Sequence, residues 1–469
     1  MATTTATGRS EGEPLAWGSS REMNALEAVM WRAEADPTLR STICGIELLD
    51  RAPDWERFRA AHEWATRMVP RFRRRVVEPG LGLGQPRWVL DERFDLDFHV
   101  RRMRLPEGAT FEDALREATR IAMTAFDKAR SPWEAVLIEG LPDGQAAYVL
   151  KMHHSATDGI GAIQLLTQMH SRQREPTPDK PWPALPPPED EHVARALARQ
   201  ATGDARAIAG AARGVAGRVL RRPDRALRDT ASGLASARRV LADPPAQGSP
   251  LLADRGMTWR FVAMDVPFAD LRAAGKAAGG SLNDAFLASL MGAFRRYHEE
   301  LGCPVDAIPM AIPISVRKDT DAEGGNAFAA ARLAGPVGIA DAGERIQAIR
   351  ELIRGARSEP AMDAVVRIAP ALARLPGPAI ARLAGGMATG NDLQASNVPG
   401  LRDDAFLAGA QVLRLYPFAP VPGCAAMVTL VTHGSTCCIG ANLDVAAVKE
   451  PDRFARNLRE GFDEVLALR

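Results

Sequence analysis

The stretch Lys151-Met152-His153-His154-Ser155-Ala156-Thr157-Asp158-Gly159 joins two apolar segments of different periodicity. Before it, Ala146-Ala147-Tyr148-Val149-Leu150 reads as a buried strand. After it, Ile160, Ile163, Leu166 and Met169 fall on one helical face. The chain therefore has to turn from strand to helix here, with two adjacent histidines at the turn, a common place for reactive groups on a rigid frame. An imidazole titrates near neutrality, so it can take a proton from a hydroxyl and later return it. Asp158, four residues after His154, can orient the ring or fix the turn through a buried ion pair. Gly159 admits φ > 0 or close approach of the backbone to a ligand. No Ser, Lys or Cys nucleophile is needed, because a base beside an acceptor hydroxyl can drive direct attack on an activated acyl group.

The pattern H-H-x-x-x-D-G resembles the signature of the CoA-dependent acyltransferase superfamily. Four further stretches resemble one of its families, the bacterial wax ester synthase/diacylglycerol acyltransferases. Phe126-Asp127-Lys128-Ala129-Arg130-Ser131-Pro132-Trp133-Glu134 is similar to a block ending in P-L-W-E, with Ser-Pro in place of Pro-Leu. Asn283-Asp284 resembles an N-D helix motif, and Pro313-Ile314-Ser315-Val316-Arg317 followed by Gly325-Asn326 a P-x-S-x-R…G-N segment. Ser396-Asn397-Val398-Pro399-Gly400 resembles an S-N-V-P-G block. The blocks keep the family's order across most of residues 20 to 469.

Composition bounds the reading. A chain of 469 residues with net charge +1 affords a sizeable core and two to three domains. Near-neutral charge argues against nucleic acid as a partner. The five cysteines, at 44, 303, 424, 437 and 438, fit neither a disulfide framework nor a zinc site, which points to a reducing cytosol. Cys437 and Cys438 are expected to alternate across a strand. The adjacent histidines also alternate faces, and no nearby residue completes a ligand set, so no metal is expected. No charge-free apolar run reaches the length of a membrane span. Residues 1–19 read as a disordered start without a secretory signal.

In chain order, helices are expected at 20–37, 54–68 and 111–126, and strands at 41–49, 87–90, 97–105, 134–140 and 145–152. The turn at 70–75, with four arginines, reads as an exposed, solvated entry to a strand. His99 reads as structural. Residues 176–256 form a connection, proline-rich from 176 to 188 and then rich in Ala, Gly and Arg. Between 195 and 239 eleven Arg face three Asp, giving +8. This segment reads first as a helical connection, next as a flexible linker, and last as a basic amphipathic helix on an anionic lipid surface. In the second half, strands are expected at 258–266, 308–316, 326–334, 393–398, 411–416, 425–432 and 437–443. Helices are expected at 267–278, 282–300, 341–351, near 360–383 and from Pro451. Ser281 with Asp284 is a capping signature in itself, so Asn283-Asp284 also reads as a helix-start device.

Strand-rich halves with intervening helices give an α/β (α+β) protein. The resemblance implies two chloramphenicol-acetyltransferase-like domains, 20–175 and 257–469, each a mixed sheet flanked by helices with a tunnel between them. It implies an O-acyltransferase that moves a long-chain acyl group from acyl-CoA to diacylglycerol or a fatty alcohol, with acyl-CoA as co-substrate and no further cofactor. His154 would be the general base, His153 a supporting residue, Asp158 structural and paired with an arginine, and Gly159 the turn. Trp133, Glu134, Asn283, Asp284, Ser396 and Asn397 would contact substrate or line the tunnel, although SNVPG reads equally as a turn at a sheet edge. The alternatives are a related acyltransferase for a specialised hydroxyl or amine, and a non-catalytic lipid-body surface protein. A cytoplasmic enzyme, peripheral on the inner membrane face or on lipid bodies, is expected.

Overall fold

The computed structural model describes residues 17–79, 85–177, 180–185, 202, 246–315, 328–357, 373, 375–388 and 390–469. The expected segments 192–240 apart from residue 202, Val316-Arg317, Gly325-Asn326 and 360–372 lie outside the described residues.

The first half runs α1 (Ala25–Ala33), β1 (Thr42–Leu49), α2 (Trp55–Met68), β2 (Arg74–Val77), β3 (Arg87–Leu90), α3 (Leu96–His99), β4 (Val100–Arg104), α4 (Phe111–Met123), β5 (Trp133–Glu139), β6 (Ala146–His153) and α5 (Gly159–Met169). Helix starts follow local chemistry, since Asn24, Asp54 and Asp158 each accept a hydrogen bond from a first-turn N–H. The second half runs β7 (Trp259–Pro267), α6 (Phe268–Ala277), α7 (Leu282–Glu300), β8 (Ile308–Ser315), β9 (Phe328–Gly335), α8 (Ala342–Arg357), α9 (Gly377–Ala388), β10 (Leu393–Val398), β11 (Phe406–Leu407), β12 (Ala410–Phe418), β13 (Ala426–His433), β14 (Thr436–Asp444) and α10 (Pro451–Leu466).

Two mixed six-stranded sheets result. The second has the order β7-β14-β13-β10-β8-β9, with β10 parallel to both neighbours. The first has the order β11-β12-β1-β6-β5-β4 and contains a parallel β4–β5 pair. Strands β11 and β12 come from the second half of the chain, so a division of the chain at 257 does not coincide with the division into sheets. Strand β12 pairs antiparallel with β1 from Cys44 opposite Phe418 to Leu49 opposite Val412. Its outer face meets the second sheet. Phe418 stacks on Phe261 at 4.0 Å, and Gly440 of β14 passes so close to Pro417 that a Cβ there would lie 1.9 Å from its carbonyl oxygen. Val136, Val149 and Tyr416 of the first sheet share an apolar cluster with Trp259, Phe261 and Cys438 of the second.

Three expectations are corrected. Trp17 is fully buried, and its indole N–H donates to Gly161 O at 2.9 Å, so the expected disordered start does not include it. Arg71 and Arg74 are buried instead of solvated. They donate to backbone carbonyls of Gly18 and Ser19, and Arg71 lies 4.3 Å over the Trp88 ring. Desolvation pushes the Arg71 guanidinium down to about 10. The stretch 97–105 opens with a helical turn before the strand begins at Val100. His99 is structural as expected, buried, stacked on Trp133 at 4.6 Å and hydrogen-bonded through Nδ1 to Trp133 O. Cys437 and Cys438 do point to opposite faces, one into the core of the second sheet and one into the cluster between the sheets.

Candidate active site

Strand β6 carries the two histidines out of the middle of the first sheet, between β1 and β5. His153 is its last residue, opposite Thr42, and is fully buried. His154 opens a 3-10 turn, His154–Ala156, which leads to α5 and leaves it half-buried. Its backbone N–H donates to Ser41 O at 2.7 Å, which fixes the turn against the start of β1. The His153 ring accepts at Nδ1 from the Ser155 N–H at 3.0 Å and lies 2.7 Å from Ser155 Oγ. Its Nε2 is 3.2 Å from Glu34 Oε1, a close polar contact short of ideal hydrogen-bond alignment. Trp31 and Phe126 meet the ring edge-on at 5.0 and 6.0 Å.

Asp158 is the N-cap of α5, and its carboxylate accepts the Gly161 N–H at 2.8 Å. It is buried and sits at the positive end of the helix, so it holds the turn that presents His154. Gly159 is the first helical residue and does not have positive φ. Its lack of a side chain serves close approach, because a Cβ there would lie 3.0 Å from Val398 Cγ2. Val398 ends β10, so the histidine turn of the first sheet and the Ser-Asn-Val-Pro-Gly block of the second meet here. Along β10, Ser396 shares the strand face of Val398, while Asn397 lies on the other face with Ala395. The Asn397 amide donates to Asn283 Oδ1 at 3.3 Å, which brings the two second-half motifs together. Asp284 forms a capping box, accepting from the N–H and hydroxyl of Ser281 at 2.8 Å each.

Trp133 and Glu134 have partners within the first domain. The Trp133 indole N–H donates to Phe72 O at 2.8 Å. Glu134 lies opposite Lys151 in the β5–β6 register, and Lys151 Nζ donates to Glu134 Oε1 at 2.9 Å and to Thr124 O at 2.8 Å. Lys151 is fully buried, with its ammonium 4.3 Å over the Phe126 ring, and Arg101 adds a second cation to Glu134. This pair braces β6 immediately before the histidines. Burial pushes the nearby Cys44 thiol up to about 12, so it offers no thiolate at neutral pH.

Two features escaped the sequence reading. One is Glu34, the C-cap residue of α1, whose Oε1 also accepts the Ser41 N–H at 2.8 Å. Burial alone would raise its carboxyl, but the His153 ring, the Ser41 N–H and the Arg40 charge hold it below the ordinary value. The other is two neighbouring buried polar pairs beside an apolar cleft between α2, α5 and the sheet, Glu47 lying opposite Tyr148 in the β1–β6 register. His62 Nε2 lies 3.0 Å from Tyr148 Oη, and His170 Nε2 3.0 Å from Glu47 Oε2. Ala61, Ala65, Leu165, Leu166 and Met169 line the cleft, whose empty volume is about 500 Å³ with its open mouth included. No local pattern marks these contacts, which join residues far apart in the chain.

Residues 20–286 match the family model described as the wax ester synthase/diacylglycerol acyltransferase catalytic domain, and residues 324–465 the C-terminal domain of the same family. A Mycobacterium tuberculosis protein, provisionally named a diacylglycerol O-acyltransferase, is 42% identical over 96% of this chain and 92% of its own length. A second protein of that organism with the same provisional name is 28% identical over 95% of this chain and 97% of its own. Among solved structures, the wax ester synthase/diacylglycerol acyltransferase from Marinobacter aquaeolei VT8 superposes with a TM-score of 0.66 at 22% identity, over 95% of this chain and 98% of that one. The first condensation domain of the CDA synthetase gives 0.56 at 16% identity, over 95% and 97%, which shows a shared fold. The chain belongs to the wax ester synthase/diacylglycerol acyltransferase family, and it is an acyltransferase of that family.

Proposed function

We propose that this enzyme transfers a long-chain acyl group from acyl-CoA to the hydroxyl of diacylglycerol, of a fatty alcohol, or of both. His154 acts as general base in a single step. It takes the hydroxyl proton as the acceptor oxygen attacks the thioester carbonyl, and it returns that proton to the departing CoA thiolate, which leaves as the free thiol. The observation that carries this reading is the junction at Gly159, where the His154 turn abuts Val398 of the second sheet. Substrate held at that junction meets the base from one side and the Ser396-Asn397 segment from the other. A positioned base contributes roughly 10²- to 10⁴-fold, and orientation in a site closed to water supplies much of the rest. Asn283, Ser396 and Asn397 are proposed to line the acceptor path or to donate to the developing oxyanion. Trp133, Glu134 and Asp284 are proposed to act through the framework contacts described above. Besides the co-substrate, no cofactor enters the proposed reaction.

His154→Ala tests the assignment. The variant should fold, bind acyl-CoA and lose turnover by at least about two orders of magnitude. Turnover retained in a folded His154→Ala protein would remove His154 as the base.

Both substrates carry long apolar chains, and among the described residues no helix is long and apolar enough to cross a membrane. We propose peripheral contact with a lipid-body or membrane surface, supported by the basic stretch 195–239. Deletion of residues 192–240 should abolish flotation with anionic liposomes, and unchanged flotation would exclude this segment as the contact.

A further inference from the structure

We propose that Glu34 is a positioning residue for acyl transfer, fixing both the tautomer of His153 and the turn that carries His154. The inference rests on the reading of His154 as the base. A backbone N–H can only donate, so the Ser155 N–H at 3.0 Å requires a lone pair on His153 Nδ1. The neutral ring then carries its single proton on Nε2, the atom 3.2 Å from Glu34 Oε1. The same carboxylate oxygen accepts the Ser41 N–H at 2.8 Å, and Ser41 O accepts the His154 N–H at 2.7 Å. One buried acid therefore touches the ring of the first histidine and, through one residue, the backbone of the second. Its rigidity comes from α1, which it terminates, and from Trp31 on the same helix, whose ring meets His153 edge-on. Without Glu34, an Nδ1–H tautomer donating to Ser155 Oγ at 2.7 Å comes within reach, and it sets its proton against the Ser155 N–H and so presses on the turn that carries His154.

The arrangement makes separable demands on substitution. Glu34→Ala removes both contacts. Displacement of a base by a fraction of an ångström to one ångström lowers turnover about 10- to 100-fold. The loss should fall on kcat, with KM for acyl-CoA little changed, since Glu34 does not touch substrate in this reading. Glu34→Gln keeps an oxygen that can accept from Ser41 N–H and His153 Nε2–H, and it should recover most of the lost kcat. The direct readout is the imidazole ¹⁵N spectrum of histidine-labelled protein. Wild type and Glu34→Gln should show His153 protonated at Nε2 and bare at Nδ1, and Glu34→Ala should show a mixture of tautomers. An Nδ1–H tautomer in the wild-type protein would overturn the proposal whether or not any variant folds. So would wild-type kcat in folded Glu34→Ala, or turnover as low in folded Glu34→Gln as in the Ala variant. A wild-type protein with the expected tautomer but no acyl transfer on any acceptor would instead refute the reading of His154.

Discussion

Adding one methyl group at Gly159 probes the junction on which the proposed reaction depends. The new Cβ of Gly159→Ala would lie 3.0 Å from Val398 Cγ2 and 3.6 Å from Cγ1, tight enough to push Val398 by a few tenths of an ångström. Overpacking of this kind costs about 1–3 kcal/mol. Alanine regains up to about 1 kcal/mol of helix propensity, because Gly159 is helical without positive φ. The net loss of stability is then about 0–3 kcal/mol, small enough for the variant to fold. Val398→Ala alone removes two methyl groups from a buried position, worth about 1.6 kcal/mol in transfer alone. In the double variant the new methyl enters the space the valine vacates, so the double change should be milder than the sum by about 1 kcal/mol. Denaturant unfolding of the four proteins gives that coupling. Turnover gives a second cycle, in which Gly159→Ala lowers kcat several-fold and Val398→Ala restores part of it. Strict additivity in both cycles would mean that the two motifs do not press on one another, and the two-sided site would have to be redrawn.

Lys151→Met leaves Glu134 in a buried setting with only the half-exposed Arg101 as a cation, and should cost about 3 kcal/mol, at the low end for a broken buried pair. Adding Glu134→Gln should recover much of this in thermal unfolding, and an unimproved double variant would count against the pair. Trp17→Ala removes a fully buried ring and its bond to Gly161 O, and should cost about 3–5 kcal/mol, seen as a lowered Tm. A Tm equal to wild type would return Trp17 to the loose start expected from sequence. Burial next to His170 pushes His62 down to about 4, so its ring folds neutral. Its contribution is complete above about pH 6.5 and is lost as pH falls toward 4, a range worth up to about 3 kcal/mol. His62→Gln, which can still reach Tyr148, should flatten the fall of Tm between those pH values, and an unchanged slope would assign the acid sensitivity elsewhere.

Segments whose signal is local were readable. The apolar strands expected at 134–140 and 145–152, the helix at 282–300 and its Ser281–Asp284 cap all lie where their residues place them. Asp158 as a helix cap was also within reach, since a carboxylate preceding an apolar period is a start signal. Long-range pairing was not. Strand β12 has the same alternation whichever sheet receives it, and only the meeting of Cys44 with Phe418 decides. The arginines at 71 and 74 looked solvated because charge runs usually are, but the carbonyls that accept from them belong to residues more than fifty positions earlier. Glu34 gave no cue for the same reason, lying 119 positions from the histidine it touches. The family blocks named candidate residues, and the structure adds that Gly159 and Val398 are one contact, as are Asn283 and Asn397.

The central claim is acyl transfer from a CoA thioester to a lipid hydroxyl with His154 as the base. Its most direct test supplies purified protein with palmitoyl-CoA, hexadecanol in one tube and diolein in another, and follows free thiol together with lipid ester. Wild type should release thiol and form ester in stoichiometric amounts, His154→Ala should do neither, and the ratio of wax to triacylglycerol sets the acceptor class. Folded wild-type protein that releases no thiol in either tube would contradict the account.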